Sequence, residues 1–322
     1  MIEGENKMTF LNITDELNYQ RVKFGVIQKL QELIIGEGYI LFEPDFFEDY
    51  EAFVLKNKRV KKEKMIKLID NDGTILVLRP DITTSLMRQI IPKWQNPSAL
   101  RIFYNSTIFS RNPNGNMDSI RQFGIELLGE KREDADLEVL RLMVKMFESF
   151  GLDYVIEVTD TRFLEGLIDD IKLSDDEQRA FKDILYRKSL YDLNQFITSK
   201  QFSEDQKNML NALFSLQGNL NDVSDMIQQL NLNVKAKVAF KELCESLEAI
   251  ENRGNFMIDL SLVSTYDYYD GMLFKGYIKG SKEEVLSGGR YDPLTENFGK
   301  KMSAIGFTLN TQEVIKEVLR DE

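Results

Sequence analysis

The amino-acid sequence predicts an α+β fold whose core is interrupted by an all-helical insertion. Strand-like runs occupy both ends of the 322-residue chain, whereas residues 161–252 show the spacing of successive amphipathic helices. All six prolines lie outside that middle segment. A chain of this length exceeds the size at which one core usually keeps growing. We therefore assign residues 1–160 and 253–322 to the core and residues 161–252 to the insertion.

The N-terminal region predicts a helix followed by short strands. Five apolar residues recur at helical spacing: Val22, Val26, Leu30, Leu33 and Ile34. They predict a helix over residues 15–35 that ends at Gly36. Residues 39–44, YILFEP, predict a strand that ends at a proline. Residues 65–80 predict a hairpin, in which Asp72-Gly73 suits a tight primed turn.

The remaining elements follow in chain order. Residues 101–109 and 120–128 predict a second strand pair, followed by a helix over 135–149 and a strand over 152–158. In the insertion, Ser174 with Glu177 and Ser203 with Gln206 form capping-box patterns that begin two helices. Strands are predicted at 256–262, 272–278 and 303–309, and a last helix over 311–320. The pair Gly288-Gly289 is predicted to break the regular structure between two of these strands.

Composition excludes several kinds of chemistry. The chain has no histidine and one cysteine, Cys244, so a Ser-His-Asp triad, an HExxH zinc site and an internal disulfide are all excluded. We predict no metal and no cofactor. The N-terminal MIEGENKMTF is acidic and polar, so we expect no signal peptide, and no apolar run approaches the roughly 18 residues of a membrane span. We therefore expect a cytoplasmic protein without membrane contact.

The net charge argues against nucleic acid as a partner. The chain has 41 Lys and Arg against 53 Asp and Glu, which gives a net charge of −12. Proteins that bind a phosphate backbone usually present a basic face, because counterion release drives that binding. We therefore expect no tRNA partner.

Four segments, in order, resemble histidyl-tRNA synthetase, a class II synthetase. The first helix with GYILFEP resembles motif 1, and Leu78-Arg79-Pro80-Asp81-Ile82-Thr83 resembles the amino-acid loop. Residues 101–129, which contain QFGIE, resemble motif 2. The fourth segment is split between Asp267-Tyr268-Tyr269-Asp270-Gly271 and Ser287-Gly288-Gly289-Arg290-Tyr291-Asp292. The resemblance implies an antiparallel sheet flanked by helices, and a self-dimer formed through the motif 1-like segment.

The sequence departs from this family where the synthetase needs cations. The resemblance places Ser110, Ser264 and Glu313 at positions where the family has arginines. Arg111 could replace the motif 2 arginine from one residue away. Adenylation requires positive charge around the α-phosphate, and losing one such group costs about two to three orders of magnitude in rate. We therefore predict no catalytic residues. Because the sequence ends shortly after the motif 3-like segment that contains Glu313, we also expect the anticodon-reading domain of the family to be absent.

The amino-acid pocket of the family is retained, which makes seven residues candidates for histidine binding: Asp81, Thr83, Arg111, Gln122, Glu126, Tyr268 and Tyr269. The resemblance assigns Asp81 and Thr83 to the substrate amine, and the two tyrosines to the imidazole. A carboxylate such as Glu126 can accept from an imidazole N–H. Each residue also has a structural alternative, since Asp81 could pair with Arg79 and the tyrosines could be ordinary core residues.

A synthetase-like chain without the catalytic cations resembles the regulatory subunits of ATP phosphoribosyltransferase. That resemblance implies a short catalytic subunit as partner in a hetero-octamer, and histidine as feedback effector of the first step of histidine biosynthesis. Two alternatives stay open. One is a truncated class II enzyme that adenylates an amino acid, and the other is a scaffold with a vestigial pocket.

Overall fold

The computed structural model describes residues 12–56, 61–95, 98–112, 114–264, 268–281 and 283–321. The N-terminal MIEGENKMTF and Asp267 lie outside the described residues. The α-helices are α1 (Ile13–Gly36), α2 (Tyr50–Lys56), α3 (Ile82–Ile90), α4 (Arg132–Ser149), α5 (Thr161–Ile171), α6 (Asp175–Tyr186), α7 (Leu190–Thr198), α8 (Glu204–Ala212), α9 (Leu220–Ile227), α10 (Val234–Glu248), α11 (Asp292–Glu296) and α12 (Thr311–Asp321).

The strands form a large sheet and a small one. They are β1 (Ile40–Leu41), β2 (Phe47–Asp49), β3 (Lys67–Ile69), β4 (Ile75–Leu78), β5 (Leu100–Arg111), β6 (Met117–Leu128), β7 (Tyr154–Asp160), β8 (Gln217–Gly218), β9 (Phe256–Asp259), β10 (Met272–Ile278), β11 (Leu286–Arg290) and β12 (Ala304–Asn310). The nine-stranded sheet has the order β1-β5-β6-β12-β11-β10-β7-β9-β8, and the small sheet has the order β2-β4-β3.

The large sheet is antiparallel through its centre and parallel near its edges. In the part of the sheet with the order β5-β6-β12-β11-β10-β7, each strand runs antiparallel to the next. By contrast, β1 pairs with β5 in parallel, and so does β7 with β9. The expected antiparallel sheet flanked by helices is confirmed for this central part. The two parallel pairs make the complete sheet mixed.

The two faces of the central strands differ in character. Cross-strand register pairs Phe103 with Ile125 and Ile125 with Phe307. These buried residues belong to the main hydrophobic cluster, together with residues of α1, α4 and α12. Because side chains alternate along a strand, the intervening residues point to the opposite face. That second face carries the polar side chains described below.

Two local predictions are wrong. Type I′ and II′ turns require positive φ at their first central residue, which would be Asp72. Outside glycine, only Lys172 and Lys188 have positive φ among the described residues. The hairpin instead closes through Gly73, which has φ +88 and donates its N–H to the Asp70 carbonyl at 2.9 Å.

The predicted break in regular structure at Gly288-Gly289 is also wrong, because both residues lie within β11. A Cβ added at Gly288 would lie 2.2 Å from the Gly306 carbonyl oxygen. A Cβ added at Gly289 would lie 2.5 Å from the Met272 carbonyl oxygen. Glycine therefore allows β11 to lie close to both of its neighbours.

Helix α1 buries its predicted apolar face within the chain. The buried residues are Val22, Val26, Leu30 and Ile34, and the helix packs against α12. Leu33 is half-buried. This face therefore belongs to the core, and the exposed apolar residues of α1, such as Leu17 and Phe24, lie elsewhere on the helix. The self-dimer remains a prediction.

The segment 161–252 is helical apart from β8, which pairs with β9 at the edge of the large sheet. Both capping boxes are confirmed, at Ser174 with Glu177 and at Ser203 with Gln206. Its buried side chains, such as Phe181, join the same hydrophobic cluster as the sheet. The division of the chain into domains remains a prediction. Among the described residues, no helix combines the length and apolar character needed to span a bilayer.

Candidate functional site

A polar cleft of about 70 Å³ lies on the second face of the large sheet. Strands β5, β6, β11 and β12 form its floor, and the start of α3 and the tyrosine pair before β10 form its walls. The residues that line it are Pro80, Asp81, Ile82, Thr83, Tyr104, Ile108, Gln122, Glu126, Tyr268, Tyr269, Ser287, Gly288, Tyr291, Gly306, Phe307 and Thr308.

Cross-strand register brings the floor residues together. Tyr104 on β5 lies opposite Gly124 on β6, which in turn lies opposite Thr308 on β12. Glu126, two residues after Gly124, lies opposite Gly306. Because side chains repeat every two residues on a face, these residues share one side of the sheet.

Two glycines make room for the large polar side chains. A Cβ added at Gly306 would lie 2.1 Å from the Glu126 Oε2 atom. A Cβ added at Gly124 would lie 2.3 Å from the Tyr104 hydroxyl oxygen. The carboxylate and the phenol can therefore lie across the neighbouring strands only because those strands lack side chains there.

Glu126 is the most enclosed acid of the cleft, with a residue exposure of 1%. The Thr83 hydroxyl donates to its Oε1 atom at 2.7 Å, and the Tyr291 hydroxyl donates to its Oε2 atom. Burial raises the pKa of Glu126 to about 8, an effect that the two hydroxyls oppose and the charge of Asp81 reinforces. Near neutral pH, this carboxyl group is therefore mainly protonated in the empty cleft.

Asp81 begins helix α3 as its N-cap. Its Oδ2 atom accepts the Thr84 N–H at 3.0 Å, and burial raises the pKa of the carboxyl group. The neighbouring Arg79 does not serve as its partner. The Arg79 guanidinium instead donates to the backbone carbonyls of Pro44 at 2.5 Å and Thr107 at 2.8 Å. Arg79 therefore anchors the amino-acid loop to the segments on either side of it.

Aromatic rings form the upper wall of the cleft. The ring centroids of Tyr268 and Tyr269 are 4.9 Å apart, and Tyr268 lies edge-on to Tyr291 at 6.1 Å. On the floor, the hydroxyls of Tyr104 and Thr308 are hydrogen-bonded to each other. Six of the seven candidate residues, all except Arg111, therefore line one cleft.

Arg111 lies apart from the other candidates. It is three residues beyond Ile108, the last residue of β5 that lines the cleft, or about 10 Å along the strand. Its guanidinium donates to the Gly115 carbonyl at 2.8 Å, within the hairpin that joins β5 to β6. Its role as a replacement cation remains a prediction.

The described residues that line the cleft include no lysine or arginine. The positions at which the resembling synthetases carry arginines supply no arginine to the cleft in this chain. Ser110 pairs with Asp118 across the hairpin, and Glu313 forms an ion pair with Lys316 at 2.6 Å. In the described part of the chain, no cluster of acidic or cysteine residues could hold a metal ion.

A second buried acid, Asp136 on α4, has a different environment. Arg290, the last residue of β11, is fully buried and donates to the Asp136 Oδ1 atom at 2.5 Å. Arg290 also donates to Asp292 Oδ1 at 3.0 Å and to the Ser303 hydroxyl at 2.9 Å. This network joins β11, α4 and α11 directly behind the cleft.

Comparisons with known proteins decide the family. The family profile of histidyl-tRNA synthetase matches residues 20–314. An ATP phosphoribosyltransferase regulatory subunit from Bacillus cereus (strain G9842) is 31% identical over 300 residues, which cover 90% of this chain and 71% of the relative. A second one, from Clostridium acetobutylicum, is 31% identical over 322 residues, which cover 97% and 77%. The chain belongs to the family of ATP phosphoribosyltransferase regulatory subunits.

Solved structures agree with this family and its fold. An ATP phosphoribosyltransferase regulatory subunit/histidyl-tRNA synthetase from Bacillus halodurans matches with a TM-score of 0.84 and 26% identity, covering 93% of this chain and 79% of that chain. A histidine–tRNA ligase subunit from Alicyclobacillus acidocaldarius matches with a TM-score of 0.78 at 22% identity, covering 100% and 96%. The chain therefore has a fold like that of histidyl-tRNA synthetase.

Sequence reasoning for this regulatory-subunit family member missed several cleft residues, of which three have the largest part in the polar network. They are Tyr104, Tyr291 and Thr308, and each lines the cleft beside a predicted candidate. Tyr291 lies in the SGGRYD segment and Tyr104 in the motif 2-like strand. Side chains alternate along a strand, so Tyr104, which lies four residues before Ile108, is expected on the same face of β5 as Ile108. Tyr291 and Thr308 required the pairing of distant strands.

Proposed function

We propose that the chain is the non-catalytic regulatory subunit of an ATP phosphoribosyltransferase. In this proposal it acts with a short catalytic subunit in the first step of histidine biosynthesis and responds to histidine as feedback effector. Family membership supports the regulatory role. The observation that carries the proposal is a cleft rich in acceptors for N–H groups whose described lining residues include no lysine or arginine.

Histidine suits the groups of the cleft. Its ammonium group and its imidazole N–H are donors, and the buried carboxyl groups that can accept them are Glu126 on the floor and Asp81 on the wall. Tyr268 and Tyr269 present aromatic surface against which an imidazole ring can pack. A charge-assisted hydrogen bond contributes about 1.5 to 3 kcal/mol, so each acid could account for roughly a ten- to hundredfold change in affinity.

The same cleft supports the loss of synthetase activity. Amino-acid activation builds negative charge at the α-phosphate of ATP, and positive groups must already lie there to stabilise it. Ser110 and Glu313 stand where the resembling enzymes have arginines, and Arg111 lies in the hairpin beyond the cleft. We infer that the chain binds an amino acid without activating it.

The proposal extends to partners and location. We propose a hetero-octamer with the short catalytic subunit, a self-dimer that involves the motif 1-like segment, and a cytoplasmic site of action without tRNA. Gel filtration of the two subunits together, followed by the phosphoribosyltransferase assay with and without histidine, tests the partnership. Separate elution of the subunits, with unchanged activity of the catalytic subunit, would contradict it.

Histidine-dependent ATP–pyrophosphate exchange tests the non-catalytic role. We expect the purified chain to show no exchange above a blank without enzyme, with an active histidyl-tRNA synthetase as positive control. Measurable exchange would instead support the truncated adenylating enzyme.

Histidine titration of the assembled enzyme tests the ligand site. Glu126→Ala and Asp81→Asn should shift inhibition to higher histidine concentration by roughly ten- to hundredfold, with uninhibited turnover nearly unchanged. Asn retains the N-cap acceptor of α3 and removes only the charge. Glu157→Ala is the matched control, since Glu157 is a half-buried acid of β7 that does not line the cleft. Unchanged inhibition constants in both cleft variants would exclude the inherited pocket and favour a site at a subunit interface.

A further inference from the structure

Tyr291 is the one cleft hydroxyl that reaches Glu126 from the segment linking β11 to α11. The residue is 2% exposed, and its backbone N–H donates to the Ala304 carbonyl at 2.8 Å. Its ring packs in a hydrophobic cluster with Leu86 and Leu294. Both the backbone and the ring are therefore fixed, and the hydroxyl is held against the Glu126 Oε2 atom.

Burial and the charge of Asp81 make the negative charge of Glu126 unfavourable, whereas the two hydroxyls that donate to it favour that charge. Asp81 adds negative charge from the start of α3, and Tyr104 and Tyr269 face the cleft from β5 and from the loop before β10. The two donors are the hydroxyls of Thr83 and Tyr291. No described lysine or arginine lines the cleft.

The protonation state of Glu126 decides what it can bind. An ionised carboxylate has only acceptor sites, whereas a protonated carboxyl group turns one oxygen into a donor. A ligand ammonium or imidazole N–H is a donor and therefore requires the ionised form. Thr83 and Tyr291 each donate to one oxygen of Glu126, and each oxygen of the ionised form keeps a further acceptor site.

We propose that Tyr291 is a positioning residue for the ligand, because its hydroxyl favours the ionised form of Glu126 that an N–H donor requires, and so makes that form easier to reach when the ligand binds. This inference rests on the proposed binding of histidine in the cleft. On binding, the proton leaves a Glu126 oxygen for the solvent, and the ligand N–H takes the vacated acceptor position. Binding is therefore coupled to the release of a proton.

Calorimetric titration with L-histidine at several pH values tests the coupling, on the subunit assembled with its catalytic partner. In two buffers of different ionisation enthalpy, the wild-type protein should release up to one proton per site. Its affinity should rise from pH 6.5 toward about pH 8, where burial has moved the pKa of Glu126. Tyr291→Phe should bind about ten- to a hundredfold more weakly at pH 7, with its pH profile displaced upward by about one to two pH units.

Tyr277→Phe is the matched control. Tyr277 on β10 is hydrogen-bonded to Glu157, and neither residue lines the cleft. This variant loses the same hydroxyl from a second tyrosine–glutamate pair, so it should keep the wild-type affinity and pH profile. A loss of affinity in Tyr291→Phe that is equal at all pH values would show only a packing role and would overturn the proposal. A wild-type pH profile in Tyr291→Phe would overturn it as well.

Infrared spectroscopy of the ligand-free protein separates this inference from the proposed function. The carbonyl stretch of a protonated carboxyl group, assigned by its loss in Glu126→Gln, should disappear at higher pH in Tyr291→Phe than in wild type. If that shift is found but wild-type protein binds no histidine, the proposed ligand is wrong and the Tyr291–Glu126 coupling stands. If histidine binds but the band does not shift, Tyr291 does not control Glu126.

Discussion

Two buried carboxyl groups lie on opposite sides of the large sheet, and one has a cationic partner whereas the other has hydroxyl partners. Asp136 meets the guanidinium of Arg290, whereas the donors to Glu126 among the described residues are the hydroxyls of Thr83 and Tyr291. Their partners Arg290 and Tyr291 are consecutive in the chain, and alternation at the end of β11 directs them to different faces. Behind the sheet an acid is paired with a base of the protein itself. In the cleft, no base among the described residues is paired with the acid.

The difference separates a structural acid from a binding one. Burial raises the pKa of Asp136 as well, but Arg290 and Arg132 oppose that effect with positive charge. The acid of the cleft lacks this opposition, so its ionised form depends on hydroxyls and on whatever enters the cleft. A buried charge without a partner of opposite sign is costly, and a ligand that supplies the missing charge binds more tightly for that reason.

Breaking the paired acid should produce the largest effect on stability. Arg290→Met leaves Asp136 buried without its cation and should lower the free energy of unfolding by about 3–5 kcal/mol. Urea denaturation measures this loss. The double variant Arg290→Met with Asp136→Leu should recover much of the loss, because it removes both charges. A loss below about 1 kcal/mol in the single variant would show that the pair contributes little.

The unpaired acid should make stability depend on pH. Burial raises the pKa of Glu126 from 4.5 to about 8, so the unfolded chain loses this proton at lower pH than the folded chain. The contribution of Glu126 to stability therefore falls as pH rises from 4.5 to 8. Glu126→Gln stays neutral, and its free energy of unfolding relative to wild type should increase by roughly a few kcal/mol between about pH 5 and 8.

Denaturant unfolding at three pH values checks this expectation. The exposed Glu251→Gln serves as a control, because it changes charge without changing a buried group. A difference between Glu126→Gln and wild type that stays constant with pH would mean that Glu126 titrates normally in the folded protein.

Crowding the cleft acid should have an intermediate effect. A Cβ at position 306 would lie 2.1 Å from Glu126 Oε2, so Gly306→Ala must displace the carboxyl group or the strand. We expect a loss of about 1–3 kcal/mol in unfolding free energy and weaker inhibition by histidine. Gly254→Ala is the control, because no atom lies within 4 Å of a Cβ there. Equal behaviour of the two variants would show that the strand adjusts freely.

Removing a cation outside the cleft should have the smallest effect. The guanidinium of Arg111 donates to the Gly115 carbonyl and does not line the cleft. Arg111→Ala should therefore change the histidine inhibition constant less than about twofold, since a partly exposed charge at this distance is largely screened. A tenfold change would show that the positive charge of Arg111 compensates the negative charge of Glu126.

Local periodicity predicted most elements of the fold. The strand at residues 272–278 and the two capping boxes are present as predicted, because each depends on residues close in sequence. Gly288-Gly289 was misinterpreted because the reason for its glycines lies in strands β10 and β12, far away in the chain. The turn at Asp72-Gly73 was mistaken because a dipeptide does not fix the length of the loop. Five residues connect β3 to β4, and in this longer loop Gly73 has positive φ but Asp72 does not.

The site was predicted in part, for a similar reason. The motif-based candidates Thr83 and Glu126 are hydrogen-bonded to each other, although 43 residues separate them in sequence. Tyr291, the second partner of Glu126, lies within the SGGRYD motif, but the motif alone predicts no role for it. Its importance depends on the register between β6, β12 and β11. Sequence alone does not give that register, and for the same reason it did not separate Arg111 from the cleft.

The short strand β8 has a consequence for any attempt to shorten the protein. It covers part of the outer side of β9 with backbone hydrogen bonds at Gln217 and Gly218. Deleting residues 161–252 would expose those β9 amide and carbonyl groups at the margin of the sheet, where a second molecule could add a strand and start aggregation. A shortened core should therefore carry a lysine or proline on β9, for example at the outward-facing Met257, if it is to remain dispersed in solution.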